Sequence, residues 1–264
     1  MKHYWQIYRL LLRNSLIREM AFKANFVLWL FTELLWFAGQ IIFVDVLFLY
    51  TERIGDWSKW EVVLLIGTHQ IISQVFQALF YVNLANLPEL VRTGRLDLML
   101  LLPMDTQFAV SAYRFGLDNL VNAGVGFAFV VFSLGKLGVV PDAVQIMCYA
   151  VAIVVGAAIH YAIMFTLATL SFWIVRAQGL IYGYFNFLSI ARYPDAVFGG
   201  VFKLIFTWLI PVIVVANAPA RILARASTHP FAPMMQLLAV CALSLVLSRA
   251  FWLFALRRYA SASS

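Results

Sequence analysis

Apolar residues dominate six long stretches of the chain, at about 24–50, 61–86, 108–134, 143–174, 197–216 and 234–256, with polar positions gathered in the short connections between them. Each stretch reaches the ~20 residues that an α-helix needs to cross ~30 Å of hydrocarbon. Backbone groups must be satisfied internally there, so the stretches predict membrane-spanning helices. Residues 1–23 differ: Lys2, Gln6, Arg9 and Arg13 step by four, three and four, which puts them on one helical side opposite aromatic and aliphatic residues. That pattern predicts an interfacial helix on the cytoplasmic leaflet. The apolar run at 24–50 is too long for the core of a cleaved signal and ends without a small-residue cleavage site. The connection at 217–233 carries three prolines and is a candidate re-entrant segment.

Composition turns this pattern into a class. Of 264 residues, 64% are apolar and 12% charged, about half the ~25% charge of a soluble domain. The chain reads as one all-α polytopic membrane domain over 1–264. It lacks the ~100 residues of soluble composition that an attached ATPase would take. Its net charge of +7 fits the lysine and arginine excess of cytoplasmic loops, not nucleic-acid binding. With the amino terminus inside, twelve such residues fall on the cytoplasmic side and five outside, Arg176 and Arg192 counted inside with the connection at 175–196. Both termini are then cytoplasmic and the number of spans even. Cys148 and Cys241, far apart in apolar stretches, suggest no disulfide.

The sequence carries no recognisable catalytic motif. No lysine is followed by Ser or Thr, as a phosphate-binding loop requires, and His3, His69, His160 and His229 sit on four segments without metal-ligand spacing. No cofactor or metal site is expected. The remaining candidates are polar groups within spans, where an unpaired charge costs ~2.5 kcal/mol or more. Glu33 is either part of a transport path or a structural acid paired with a base such as Arg114 or Lys203. Arg114 and Asp118, four apart on the third span, are expected to pair, with Asn122 continuing their side. Gln70, Gln74 and Gln77 form a helical stripe flanked by His69 and Ser73; contact between helices and contact with substrate explain it equally. Ala152 and Gly156 form a small-residue pair at helical spacing.

The segment at 88–102 stands apart. Its ELVRTGRLDLMLLL run sets Arg92, Arg95 and Asp97 around Gly94 and then returns to leucines before Pro103. A short helix with charges on one side and leucines on the other, lying on the membrane surface, suits the docking of a soluble partner.

Three stretches, TGRLDLMLLLP, ARYPDAVF at 191–198 and WLIPVIVVANAPARIL at 208–223, resemble the permease subunits of ABC-2 type exporters, in particular the compact six-span multidrug and viologen-exporter branch. The resemblance implies a dimer of permeases, identical or paralogous, in the bacterial cytoplasmic membrane. Two separate ATP-binding subunits would bind ATP and Mg. Glu89, Arg92, Thr93, Gly94, Arg95, Leu96 and Asp97 match the family's coupling helix, and the connection after the fifth span its outer re-entrant helices. Two other readings compete: an ion-coupled secondary transporter using Glu33, Asp45 and Asp118, and a membrane assembly factor without transport.

Overall fold

The computed structural model describes residues 23–116, 118–174, 177–224 and 231–259, and their regular elements are all helical. The expected interfacial helix lies outside the described residues up to Lys23, the first residue of α1 (Lys23–Tyr50). A loop at 51–58 leads to α2 (Lys59–Phe76), where the Glu61 carboxylate accepts the Ser58 backbone N–H at 2.7 Å, a capping contact for the helix start. A π-helical turn, Gln77–Tyr81, joins α2 to α3 (Val82–Arg92). Then come α4 (Leu96–Leu100), α5 (Thr106–Ser111) and α6 (Asp118–Leu137). The next, α7 (Ala143–Thr169), opens on a reciprocal cap between Asp142 and Gln145. After α8 (Gln178–Leu188) and a 3-10 turn, Ser189–Arg192, come α9 (Gly200–Leu204) with a π turn, Ile205–Leu209, then α10 (Val212–Ala224) and α11 (Phe231–Arg257).

Among the described residues, five helical stretches are long and apolar enough to cross a membrane: Phe31–Tyr50, Lys59–Arg92, Asn119–Leu137, Ala143–Phe172 and Phe231–Arg257. The α2–α3 unit is central, packing along α6, α7 and α10. Its closest approach is to α6, where a Cβ on Gly67 or Gly126 would stand 2.9 Å from the other's carbonyl oxygen. Two glycines at that crossing let the backbones meet, as small residues do between membrane helices.

Three expected boundaries change. The second span does not stop before Pro88 but continues to Arg92. The proline costs one backbone bond, and the buried neighbours Leu84, Leu87 and Leu90 keep α3 in the core. The third stretch is two helices, α5 and α6, with a non-helical break at 112–116. The fifth stretch is not one helix either: the chain turns by 84° between Leu209 and Val212. Pro211 accounts for the break, since Ile210 before it leaves the helical region at φ −121°, ψ 77°, and a following proline disfavours the helical conformation.

The bend also relocates the re-entrant segment. With the 51–58 loop drawn at the top, Trp57 bonds Asp195 and Asp56 pairs with Arg221. Lys203, on the arm before the bend, and Arg221, on the arm after it, both pair with Asp195. The first arm therefore starts and the second ends near the top, with the bend at Pro211 between them. The described part of the expected connection, 177–196, is accordingly not a lower surface loop. Phe172 packs on Trp252 and Tyr259 at the bottom, α8 and its 3-10 turn rise through the core, and residue 195 is at the top. Arg192 moves from the larger charge group to the smaller, which leaves the bias in place. The bent pair at 200–224 is thus the candidate re-entrant element; of the expected 217–233 segment, Pro219 lies inside α10 and 225–230 lie outside the described residues.

Candidate functional site

The lower end is built by α3, α4 and α5. Gly94 turns the chain with φ +70°, a left-handed conformation that glycine adopts without the steric cost of a Cβ. The turn is closed by short-range bonds. Arg92 reaches the Glu89 carboxylate at 2.7 and 2.9 Å, Thr93 Oγ1 donates to the Glu89 carbonyl at 2.7 Å, and Arg95 Nε donates to Thr93 Oγ1 at 3.2 Å. Leu96 is fully buried and anchors the turn, while Leu98 and Leu101 stand exposed beyond it. The segment at 88–102 is thus the end of a span, a tight turn and a five-residue helix, not one surface helix. Between it and α5 lies a groove of about 450 Å³, lined by Arg95, Leu98, Leu102, Phe108 and Arg114 among others.

Long-range bonds hold the seat of that turn. Arg249 of α11 grips Asp105 at 2.5 and 3.1 Å and Gln107 at 3.0 Å. Burial alone raises the Asp105 pKa, but the Arg249 guanidinium and the Phe108 N–H outweigh it and hold the carboxyl below its ordinary value. Trp252 Nε1 donates to Thr106 Oγ1 at 3.2 Å. Buried Asn83 fastens the break after α5, donating to the Ser111 and Arg114 carbonyls at 2.8 Å each and accepting the Arg114 N–H at 2.9 Å. The Ala78 carbonyl in the π turn accepts the Gly116 N–H at 2.9 Å.

Within the membrane zone the structure unites two separate candidates. Glu33 on α1 accepts hydrogen bonds from Gln70 Nε2 and, at 3.2 Å, from Gln74 Nε2 on α2. Amide donors, not the bases Arg114 or Lys203, satisfy this carboxyl. Gln74 Oε1 is left buried without a partner. Gln77 opens the π turn and Asn122 sits half-buried on α6, neither bonded to Glu33. Arg114 precedes α6 in the non-helical break, so it does not share a helical side with Asp118 and Asn122 as expected; its guanidinium lies over the Tyr113 ring. Asp118 begins α6. Asp45 pairs with Lys59 at 2.9 Å.

The upper end holds a cluster that the sequence reading did not assemble. Asp195 accepts from Arg221 at 2.5 Å, Trp57 Nε1 at 3.1 Å and Lys203 at 3.3 Å, and its own N–H donates to Asn217 Oδ1 at 2.9 Å. Arg221 also reaches Asp56 at 2.9 Å and lies over the Trp57 ring. Burial pushes the Asp195 pKa up, yet its cationic and Trp57 donors bring it below the ordinary carboxyl value. Gly55, with φ +62°, lets the loop pass Ala196, whose Cβ would be 2.4 Å from a Cβ at that position. The signal was present in ARYPDAVF and ANAPARIL, two stretches singled out separately; what the sequence lacked was that one supplies the acid and the other the base.

This joins distant motifs into one membrane domain with an exposed charged turn at its lower end. A family model described as ABC-2 family transporter protein matches residues 34–263. The chain belongs to that family. It is a multi-pass membrane protein and the membrane component of an ABC transport system, a component that is not itself catalytic. The family association implies an ABC ATP-binding subunit as partner. No curated protein matches the chain.

Proposed function

We propose that the protein is the permease of an ATP-driven exporter in a bacterial cytoplasmic membrane, with both termini cytoplasmic. Two permeases, identical or paralogous, form the pathway and two separate subunits bind ATP and Mg. The observation that carries the reading is the Glu89–Asp97 turn: it projects from a span buried through the core, and its seat is clamped to α11. Movement of the turn can thereby reach the helices around the pathway. Arg92, Arg95 and Asp97 are the polar contacts to the ATPase; Glu33, Gln70 and Gln74 are pathway candidates on the α1–α2 seam. The secondary-transporter reading loses support, because Asp45 is committed to Lys59 and Glu33 to two amides.

The test is reconstitution. The chain is coexpressed with ATP-binding subunits encoded beside it, and efflux of candidate compounds from cells or vesicles is followed with and without ATP. Copurification and ATP-dependent efflux are expected. Flux that follows an ion gradient with no ATPase present overturns the proposal.

A further inference from the structure

A cleft of about 610 Å³ opens between α1 and the body of the molecule near the upper end. This is within the ~300–1,000 Å³ of ordinary small-molecule sites. Its walls are Leu35, Phe43 and Leu47 of α1, Val62 and Ile66 of α2, and the segment around Tyr193 and Pro194. From Leu35 to Leu47 the α1 wall rises about 18 Å at the helical repeat, close to the ~15 Å depth of one leaflet. The shape is that of an acyl chain's slot, parallel to a membrane helix.

One charged residue lies on this wall, Arg192. Among the described residues no carboxylate pairs with it, and its Nε is buried without a hydrogen-bond partner. Its neighbours contrast with it: Lys59, Lys203 and Arg221 each have a carboxylate within 3.3 Å. The Gln40 carboxamide oxygen, buried on the same wall, also lacks a partner. A cation in an apolar membrane cleft costs free energy unless an anion meets it. At this end Asp45, Asp56 and Asp195 each pair with another base instead.

We propose that the cleft binds an anionic phospholipid of the surrounding bilayer, one acyl chain lying along α1 and the phosphate on the Arg192 guanidinium. The site is separate from the lower turn and needs no ATPase. Gly39 gives a way to close it, since a Cβ there meets nothing within 4 Å and a larger side chain extends into open space.

The experiment is native mass spectrometry of the purified, intact protein offered phosphatidylglycerol or phosphatidylethanolamine. The wild type should retain phosphatidylglycerol at least tenfold better than phosphatidylethanolamine. Arg192→Gln should lose that preference and Arg192→Lys should keep most of it. Gly39→Phe should lose the adduct with Arg192 intact, which covers the case in which Arg192→Gln fails to fold. Arg53→Gln, at the same end but off the cleft, should behave as wild type. Equal retention of the two lipids by the wild type, or undiminished phosphatidylglycerol on Gly39→Phe, overturns the proposal.

Discussion

The two ends of the molecule handle charge in opposite ways. At the top, Asp56, Trp57, Asp195, Lys203 and Arg221 come from three distant segments, and the Asp195 and Arg221 side chains are only 22% and 26% exposed. At the bottom, Glu89, Arg92, Thr93 and Arg95 bond within a single turn, and Arg92 is 57% exposed. A half-buried network that spans the chain fixes tertiary structure, because removing one member strands the others away from water. An exposed local pair contributes little to folding and can exchange its partners at small cost. The upper cluster therefore holds the re-entrant element on the first loop, and the lower turn keeps its charges accessible to another protein.

The comparison breaks most visibly at Arg221. Breaking a buried pair costs ~3–5 kcal/mol, and with the partial exposure here Arg221→Met should cost about 2 kcal/mol. In a protein of this size that lowers the thermal midpoint in detergent by several degrees, at about 2–4 °C per kcal/mol. Asp195→Asn should lose a comparable amount, and the double variant less than the sum of the two, since they share one bond. Additive losses would show that the two residues act independently and dissolve the cluster as a unit.

Charge reversal at the bottom should show the converse. Arg95→Glu or Asp97→Arg should move the thermal midpoint by no more than about 2 °C. ATP-dependent efflux should fall at least tenfold, about 1.4 kcal/mol of coupling, with the protein still in the membrane. Reversals that leave efflux unchanged remove the turn from the coupling role. Arg249→Gln lies between the two cases, for it frees the seat of the turn. With the Arg249 and Asp105 side chains 41% and 40% exposed, its stability cost is about 1 kcal/mol or less, and efflux should weaken without vanishing.

How far the sequence carried these features depended on the range of the interaction. Apolar length alone placed α1, α7 and α11, because a bilayer sets the length of a span. Local spacing brought out Arg92 and Arg95 around Gly94, since their bonds close within a few residues. The bend at Pro211 was open to a local argument, but the apolar run through it masked the break. The pairing of Asp195 with Arg221, and of Glu33 with Gln70 and Gln74, depends on which helices pack together, and no periodicity encodes that. The same limit explains the misplacement of Arg192: its side of the membrane follows from Trp57 holding Asp195, a contact across 138 positions.

Acid sharpens the comparison with the smallest effect. Asp195 and Asp105 both have folded-state pKa values below the ordinary ~3.9 of an unfolded aspartate. Below that value the unfolded state binds more protons, so stability rises with pH through the window. The contribution is complete above about pH 4 and is lost as the pH falls through each folded pKa. The wild type should therefore lose stability below about pH 4 and be nearly flat from there to neutrality as far as these two groups are concerned. Arg221→Met removes the main cause of the Asp195 depression and Arg249→Gln that of Asp105, so each variant should show a shallower acid loss than wild type. The upper variant should flatten more, because Asp195 is less exposed than Asp105, 22% against 40%, and its bond to the lost arginine is less screened by water. Denaturation midpoints taken between pH 3 and pH 7 measure this directly. Equal flattening by the two variants would mean that the acid response does not distinguish the ends, leaving the difference to the charge-reversal variants alone.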